Sequence, residues 1–236
     1  MGGSINKRSK KRHTLGEGIE FKDYNHSQLI WSLPFGLVLE TIWFFQRLVT
    51  SDKAEFNENK IPSNAIIVTF HSDSYLDPLS STLWRKFARK NYYWIGFHGF
   101  LSYIGTFRAM MMGVGAYRYR RNCEKRPMDQ IRDFLSDNLD CQVMIRTDSG
   151  GPYNKVRPSL IDMAIRYDRP LVCMRVHSSK FFLINQHKIA LPGAIIRAGI
   201  SNTIEVDVLK DAVEKGMGNA CNLVKKEMDQ TLILIS

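Results

Sequence analysis

Apolar residues recur along this chain in short dense runs, and the spacing within and between the runs predicts most of its elements. Ala65 to Phe70 reads Ala-Ile-Ile-Val-Thr-Phe, nearly continuous in apolar residues, as expected of a strand covered on both faces. Tyr92–Gly96, Val143–Arg146, Leu171–Val176, Ala194–Ile200 and Thr203–Leu209 read as further strands. Between them the period lengthens. Met128, Ile131, Phe134 and Leu135 fall at helical spacing behind Pro127, so Pro127–Asn138 predicts a helix with proline at its first position. Pro78–Lys90, Pro158–Tyr167 and Asp211–Met228 predict three more. Strands alternating with helices imply an α/β fold: a mostly parallel or mixed central sheet flanked by helices.

The N-terminal part of the chain follows a different pattern. Residues 1–13 are polar and basic, with Lys7, Arg8, Lys10, Lys11 and Arg12 crowded together, which predicts a basic flexible arm over residues 1–28. Residues 29–50 are apolar from Leu29 to Val49, but Pro34 and Glu40 interrupt the run and Gln46 and Arg47 close it. A full membrane span needs about 20 predominantly apolar residues, and a central carboxylate costs roughly 2.5–3.5 kcal/mol there. An amphipathic helix lying in the bilayer interface, with Trp31 and Trp43 at headgroup level, fits better. A helix packed on the domain's own core is the alternative. Ser51 to Ser63 reads as a polar linker, and residues 51–236 as the α/β domain.

Charge adds a class of partner. The chain has 33 Lys+Arg against 23 Asp+Glu, a net charge of +10, so an anionic partner is expected: anionic lipid, a phosphorylated substrate or nucleic acid. The basic arm beside an apolar helix favours an anionic membrane surface, since two weak signals together give stable anchoring. Gly2 does not signal myristoylation, because Asn6 stands where Ser or Thr is wanted. The long polar stretch between Arg12 and Leu29 is unlike a signal peptide. Cys123, Cys141, Cys173 and Cys221 have no metal-ligand spacing and read as reduced, mostly buried thiols.

Three segments have the residue types that chemistry needs. His71 follows the Ala65–Phe70 strand and has Asp73 and Asp77 nearby, so a titratable nitrogen and an anion to orient it lie together. The plainer reading is a capped helix start beside an ordinary histidine. Gly115 to Arg121 interleaves Tyr117 and Tyr119 with Arg118, Arg120 and Arg121, which suits a phosphate, a stacked single strand of nucleic acid, or simply a solvated basic strand end. Asp148-Ser149-Gly150-Gly151-Pro152 follows the Val143–Arg146 strand. Its glycines let backbone approach a ligand, and Asp148 and Arg157 are placed to orient one another; an ordinary strand-to-helix turn is the plain alternative. It lacks the Gly-Lys-Ser/Thr ending of a P-loop.

Taken in order, these segments resemble the lysophospholipid acyltransferase superfamily, and most closely its bacterial branch formerly described as a domain of unknown function. The likeness runs from about Phe44 to Leu209. It rests on His71 with Asp77, on Gly115 to Arg120, on Thr147 to Pro152 with Arg157-Pro158 after it, and on Arg169-Pro170-Leu171-Val172. Five residues separate His71 from Asp77, where the family usually has four, and Ser149 interrupts the family's Asp-Gly pair. The resemblance implies transfer of a fatty acyl group from acyl-CoA or acyl carrier protein to a hydroxyl of a lysophospholipid or related lipid, at the cytoplasmic face of a membrane. His71 and Asp77 would be the catalytic pair. Arg118, Arg120, Asp148, Gly150, Gly151 and Arg157 would bind substrate. No metal or other cofactor is implied. A lipid-binding relative without turnover and a nucleic-acid-binding module are the competing expectations.

Overall fold

A computed structural model of the chain describes residues 34, 37, 38, 41, 44, 45, 48–54, 61–70, 92–96, 115–118, 127–146, 155–184 and 187–236. For residues 52–54, 92–96, 115–118, 127–128, 146, 183–184 and 187–189 the description is of backbone alone. The arm at 1–28 and the helix predicted at Pro78–Lys90 lie outside these residues.

A seven-stranded mixed sheet organises the rest, in the order β1-β9-β6-β2-β5-β3-β4. Its strands are β1 (Ser51–Ala54), β2 (Ile66–Thr69), β3 (Tyr92–Gly96), β4 (Gly115–Arg118), β5 (Gln142–Arg146), β6 (Leu171–Ser178) and β9 (Ile195–Ile200). From β6 to β4 every neighbouring pair is parallel; β9 then runs antiparallel to β6, and β1 parallel to β9. Strands β7 (Phe181–Ile184) and β8 (His187–Ala190) form a separate antiparallel hairpin. Among the described residues four helices follow β4 in the chain: α1 (Pro127–Asp137), α2 (Pro158–Arg166), α3 (Val206–Glu214) and α4 (Met217–Ile235). The α/β expectation holds, with a mixed sheet.

Side-chain alternation explains the burial. Ile66 and Val68 on β2 with Phe70 just past it, Val143 and Ile145 on β5, and Leu171 and Cys173 on β6 join one core with residues of all four helices. Ile67, Met144, Val172 and Met174 point to the opposite face and are just as buried, which is why these strands read as apolar runs without a polar phase. Gly199 on β9 lets α4 close on the sheet, since a Cβ there would meet Ile235 Cγ2 at 2.5 Å.

Three expectations are corrected. The Thr203–Leu209 strand is instead the start of α3. Ile204, Val206 and Val208 alternate with polar residues, but Val206 and Leu209 are the buried pair and Val208 is exposed, so the three-residue period prevails. Ile204 keeps only an isolated bridge to Leu171. The predicted Asp211–Met228 helix is broken: α3 ends at Glu214, and Gly216, at φ +119, allows a chain reversal into α4. The polar linker likewise contains β1, which escaped notice because an edge strand can be polar.

At the opposite end of the parallel strands from their C-termini, Arg169 is completely buried. Helix α2 ends in a Schellman motif, with the Arg169 amide donating to Ala164 O (2.9 Å) and the Asp168 amide to Ile165 O (3.4 Å). Asp168 takes the left-handed conformation at φ 49, and Pro170 forbids continuation. This turn delivers the Arg169 guanidinium to backbone carbonyls. Nη1 donates to Cys141 O (2.7 Å) and Asn64 O (3.2 Å), and Nη2 to Leu139 O (3.0 Å), Asn138 O and Leu135 O (3.5 Å). These belong to the approaches to β2 and β5 and to the end of α1. Arg169→Met should therefore lower stability by roughly 3–5 kcal/mol in denaturant unfolding, because several buried carbonyls lose their donor at once. Arg169→Lys should recover only part of the loss, since an ammonium cannot reproduce the planar fork.

Candidate functional site

Parallel strands present their C-terminal ends along a single edge of the sheet, and in open α/β sheets that edge is where ligands bind. Here β2 and β5 are neighbours, with Thr69 the register partner of Arg146. The chain leaves β2 toward His71 and leaves β5 toward Thr147–Pro152. Two strands further along the same edge, β4 ends at Arg118, paired with Gly96 at the end of β3. Two of the three segments singled out in sequence thus begin where strands of the parallel block end, and the third, Gly115 to Arg121, runs through β4 to that same edge.

Strand order also creates a switch point. From β2 the chain moves to β3 and β4 on one side, returns to β5 between β2 and β3, and then crosses to β6 on the other side of β2. The connections leaving β2 and β5 therefore lead to strands on opposite sides of this pair, the kind of strand reversal at which ligands bind in open α/β sheets. Helix α2 follows the β5 connection and returns antiparallel to the strands, so its N-terminus faces this edge. Arg157 is its N-cap residue, Pro158 its first position, and no acidic residue lies in its first turn. Half-buried Arg157 therefore contributes positive charge where the helix dipole is also positive, a setting that favours an anion.

The end of β2 is held firmly. Phe70, the residue before His71, is fully buried, and the guanidinium carbon of Arg175 lies 4.9 Å from its ring centroid. Arg175 projects from β6 on the same face as Cys173 and reaches Asp229 of α4, with Nη1 3.8 Å from Oδ1. A cation over an aromatic face in a dry setting contributes on the order of 1–2 kcal/mol. This contact fixes where the β2 chain enters its loop. On the opposite face Thr69 is buried, and its Oγ1 has no hydrogen-bond partner among the described residues.

Of the residues expected to act, only Arg157 is described with its side chain, and Arg118 is described as backbone. His71, Asp73, Asp77, Arg120, Asp148, Gly150 and Gly151 lie outside the described residues. Sequence reasoning passed over Arg175 and Phe70. An arginine centred in the apolar run Leu171–Val176 was the available signal, since a buried cation must find a partner.

Among the described residues no group of His, Cys, Asp and Glu is arranged to hold a metal ion. The described thiols are poor nucleophiles. Burial pushes Cys141 and Cys221 above the ordinary thiol range, although the Arg169 guanidinium partly offsets the effect at Cys141. Cys173 is pushed up to about 12 by burial, with a hydrogen bond to Ser201 acting in the opposite direction. A folded-state value above the ordinary 9.0 means that unfolded chains lose this proton first as pH rises. The stabilisation from a neutral Cys173 should be complete below pH 9.0 and decline between there and about 12. Denaturant midpoints measured up that range should fall, and more shallowly for Cys173→Ala than for the parent.

Comparison of the sequence with protein-family models and with characterised proteins returned no match.

Proposed function

We propose that this chain is a membrane-associated O-acyltransferase that moves a fatty acyl group from acyl-CoA or acyl carrier protein to a hydroxyl of a lysophospholipid or related lipid. One observation carries the reading. The sheet gathers the strand ends that lead into His71, into the Asp148–Gly151 loop and into the Arg118–Arg120 cluster along one edge, at a topological switch point. An arginine-capped helix start, with Arg157, faces the same edge.

In this mechanism His71 removes the proton from the acceptor hydroxyl, and Asp77 orients the ring and stabilises the imidazolium. The hydroxyl oxygen attacks the thioester carbonyl carbon. Backbone amides of the Asp148–Gly151 loop receive the negative charge that develops on the carbonyl oxygen. The intermediate collapses, the carbon–sulfur bond breaks, and the imidazolium returns its proton to the departing thiolate. Arg118, Arg120 and Arg157 hold the acceptor phosphate, whose positioning lowers the entropic part of the barrier. No protein nucleophile takes part, in keeping with the buried, weakly acidic Cys141 and Cys173 thiols among the described residues.

A lipid-binding protein without turnover is the second reading, favoured by the five residues between His71 and Asp77. The two separate in a purified thioester-release assay with lyso-lipid acceptors and both donor types. His71→Ala should lower turnover about 10²–10⁴-fold with unfolding unchanged. Asp77→Ala should follow it, whereas Asp73→Ala should resemble the parent. Turnover indifferent to His71 overturns the mechanism, and lipid co-purification with no turnover favours the second reading.

A further inference from the structure

The same edge of the sheet has an apolar surface that the acyl-transfer chemistry does not use. Strand β9 runs antiparallel to β6, with Ile196 opposite Ser178, so the start of β9 lies level with the C-terminal end of β6. The β7–β8 hairpin is inserted between those two points and therefore projects from the catalytic edge. Its base is closed by the Leu191 amide donating to Lys180 O (3.0 Å) and the Ser179 amide donating to Ile195 O (3.0 Å). Successive strand residues point to opposite faces, yet Phe181 and Phe182 are both exposed, at 37% and 42%. Leu191, just past the hairpin, is exposed as well. A two-stranded hairpin is marginal in water by itself, and this one keeps more than a third of each phenylalanine in solvent.

A second apolar element reaches the same corner. Pro34, Leu37, Val38, Thr41, Phe44, Phe45, Leu48 and Val49 are helical, and Leu37, Val38, Phe44, Phe45, Leu48 and Val49 are exposed at three- and four-residue spacing. Among the described residues no helix is long and apolar enough to cross a membrane. This helix is tied to the hairpin base: the Gly193 amide donates to Val49 O (2.6 Å), and the Ser51 amide to Ala194 O (3.0 Å). Exposed Lys180 brings its Nζ to 3.9 Å from the Cβ position of Gly193, which places an ammonium at the junction.

We infer that the β7–β8 hairpin is a second membrane-seating element, which joins the N-terminal helix in holding the catalytic edge of the sheet against an anionic phospholipid surface. The inference rests on the membrane-associated reading of the chain and adds a specific site to it. Charge selects the occupant. Aromatic side chains flanked by Lys180, on a chain of net charge +10 whose basic arm precedes the helix, match a negatively charged interface. Two elements also fix orientation, which a single interfacial helix does not, because a helix alone leaves the domain free to roll about its axis. With both seated, the C-terminal ends of β2 and β5 face the layer in which a lyso-lipid acceptor resides.

The test is co-sedimentation of the full chain with phosphatidylcholine vesicles containing phosphatidylglycerol, and with phosphatidylcholine vesicles alone. Phe181→Ser/Phe182→Ser should weaken partition to the anionic vesicles about tenfold, with thermal unfolding unchanged. Phe44→Ser/Phe45→Ser serves as the comparator. As a second readout, Phe182→Trp should gain fluorescence quenched by brominated phospholipid. Parent binding with an undiminished hairpin variant and an unquenched Phe182→Trp overturns the inference while leaving acyl transfer untouched. A parent that ignores anionic vesicles overturns it together with membrane association. So does a self-associated parent whose dimer is lost in the hairpin variant without any vesicle dependence. Acyl transfer itself fails separately, through His71→Ala turnover.

Discussion

Burying an arginine without an opposing carboxylate is costly unless nearly every donor finds an acceptor, and in this fold that requirement shapes one whole edge of the sheet. The Arg169 guanidinium meets carbonyls from the approach to β2, the approach to β5 and the C-terminal turn of α1. Helix C-terminal carbonyls carry the negative end of the dipole, so the fit is electrostatic as well as geometric. The Schellman turn of α2 positions the arginine, and β6 starts directly after it. Three strands and two helices thus share one fastening at the N-terminal edge.

The consequence is a division between the two edges. One is closed by main-chain hydrogen bonding and admits little variation. The other gives rise to the connections that hold the candidate chemistry. Between them Arg175 acts as a relay of position, because its contact with Phe70 ties the buried residue just past β2 to β6, and its ion pair reaches α4. The helical layer and the place where His71 leaves the strand are therefore mechanically one unit.

How much of this was legible in the sequence differs from element to element. β2, β5 and β6 were readable because burial on both faces leaves them with few polar residues, and α2 because Pro158 marks its start. The Thr203–Leu209 segment misled because a helix entered through Ile204 and Val206 carries a short period-two stretch by coincidence of composition. The hairpin at Phe181–Ala190 was passed over: it is short, and half its strength as a signal lies in exposure, which sequence does not display. The order of the candidate motifs was visible; that the strands leading into them end along one edge was not, because it depends on β5 inserting between β2 and β3. Arg169 was noticed only as part of an Arg-Pro strand start, since nothing local distinguishes a buried guanidinium from a solvated one.

The junction of the N-terminal helix with the sheet also has a mechanical meaning. The helix continues directly into β1, and β1 pairs in parallel with β9 over Ser51 to Ala54. A pull on the helix along the strand direction loads these hydrogen bonds together, in shear. Had β1 been joined through a connection at right angles to the strand, the same pull would have unzipped them one at a time. An edge strand of four residues is a weak element by area, yet in this geometry it makes a strong tether, able to resist drag on the helix without distorting β6 and β2 behind it.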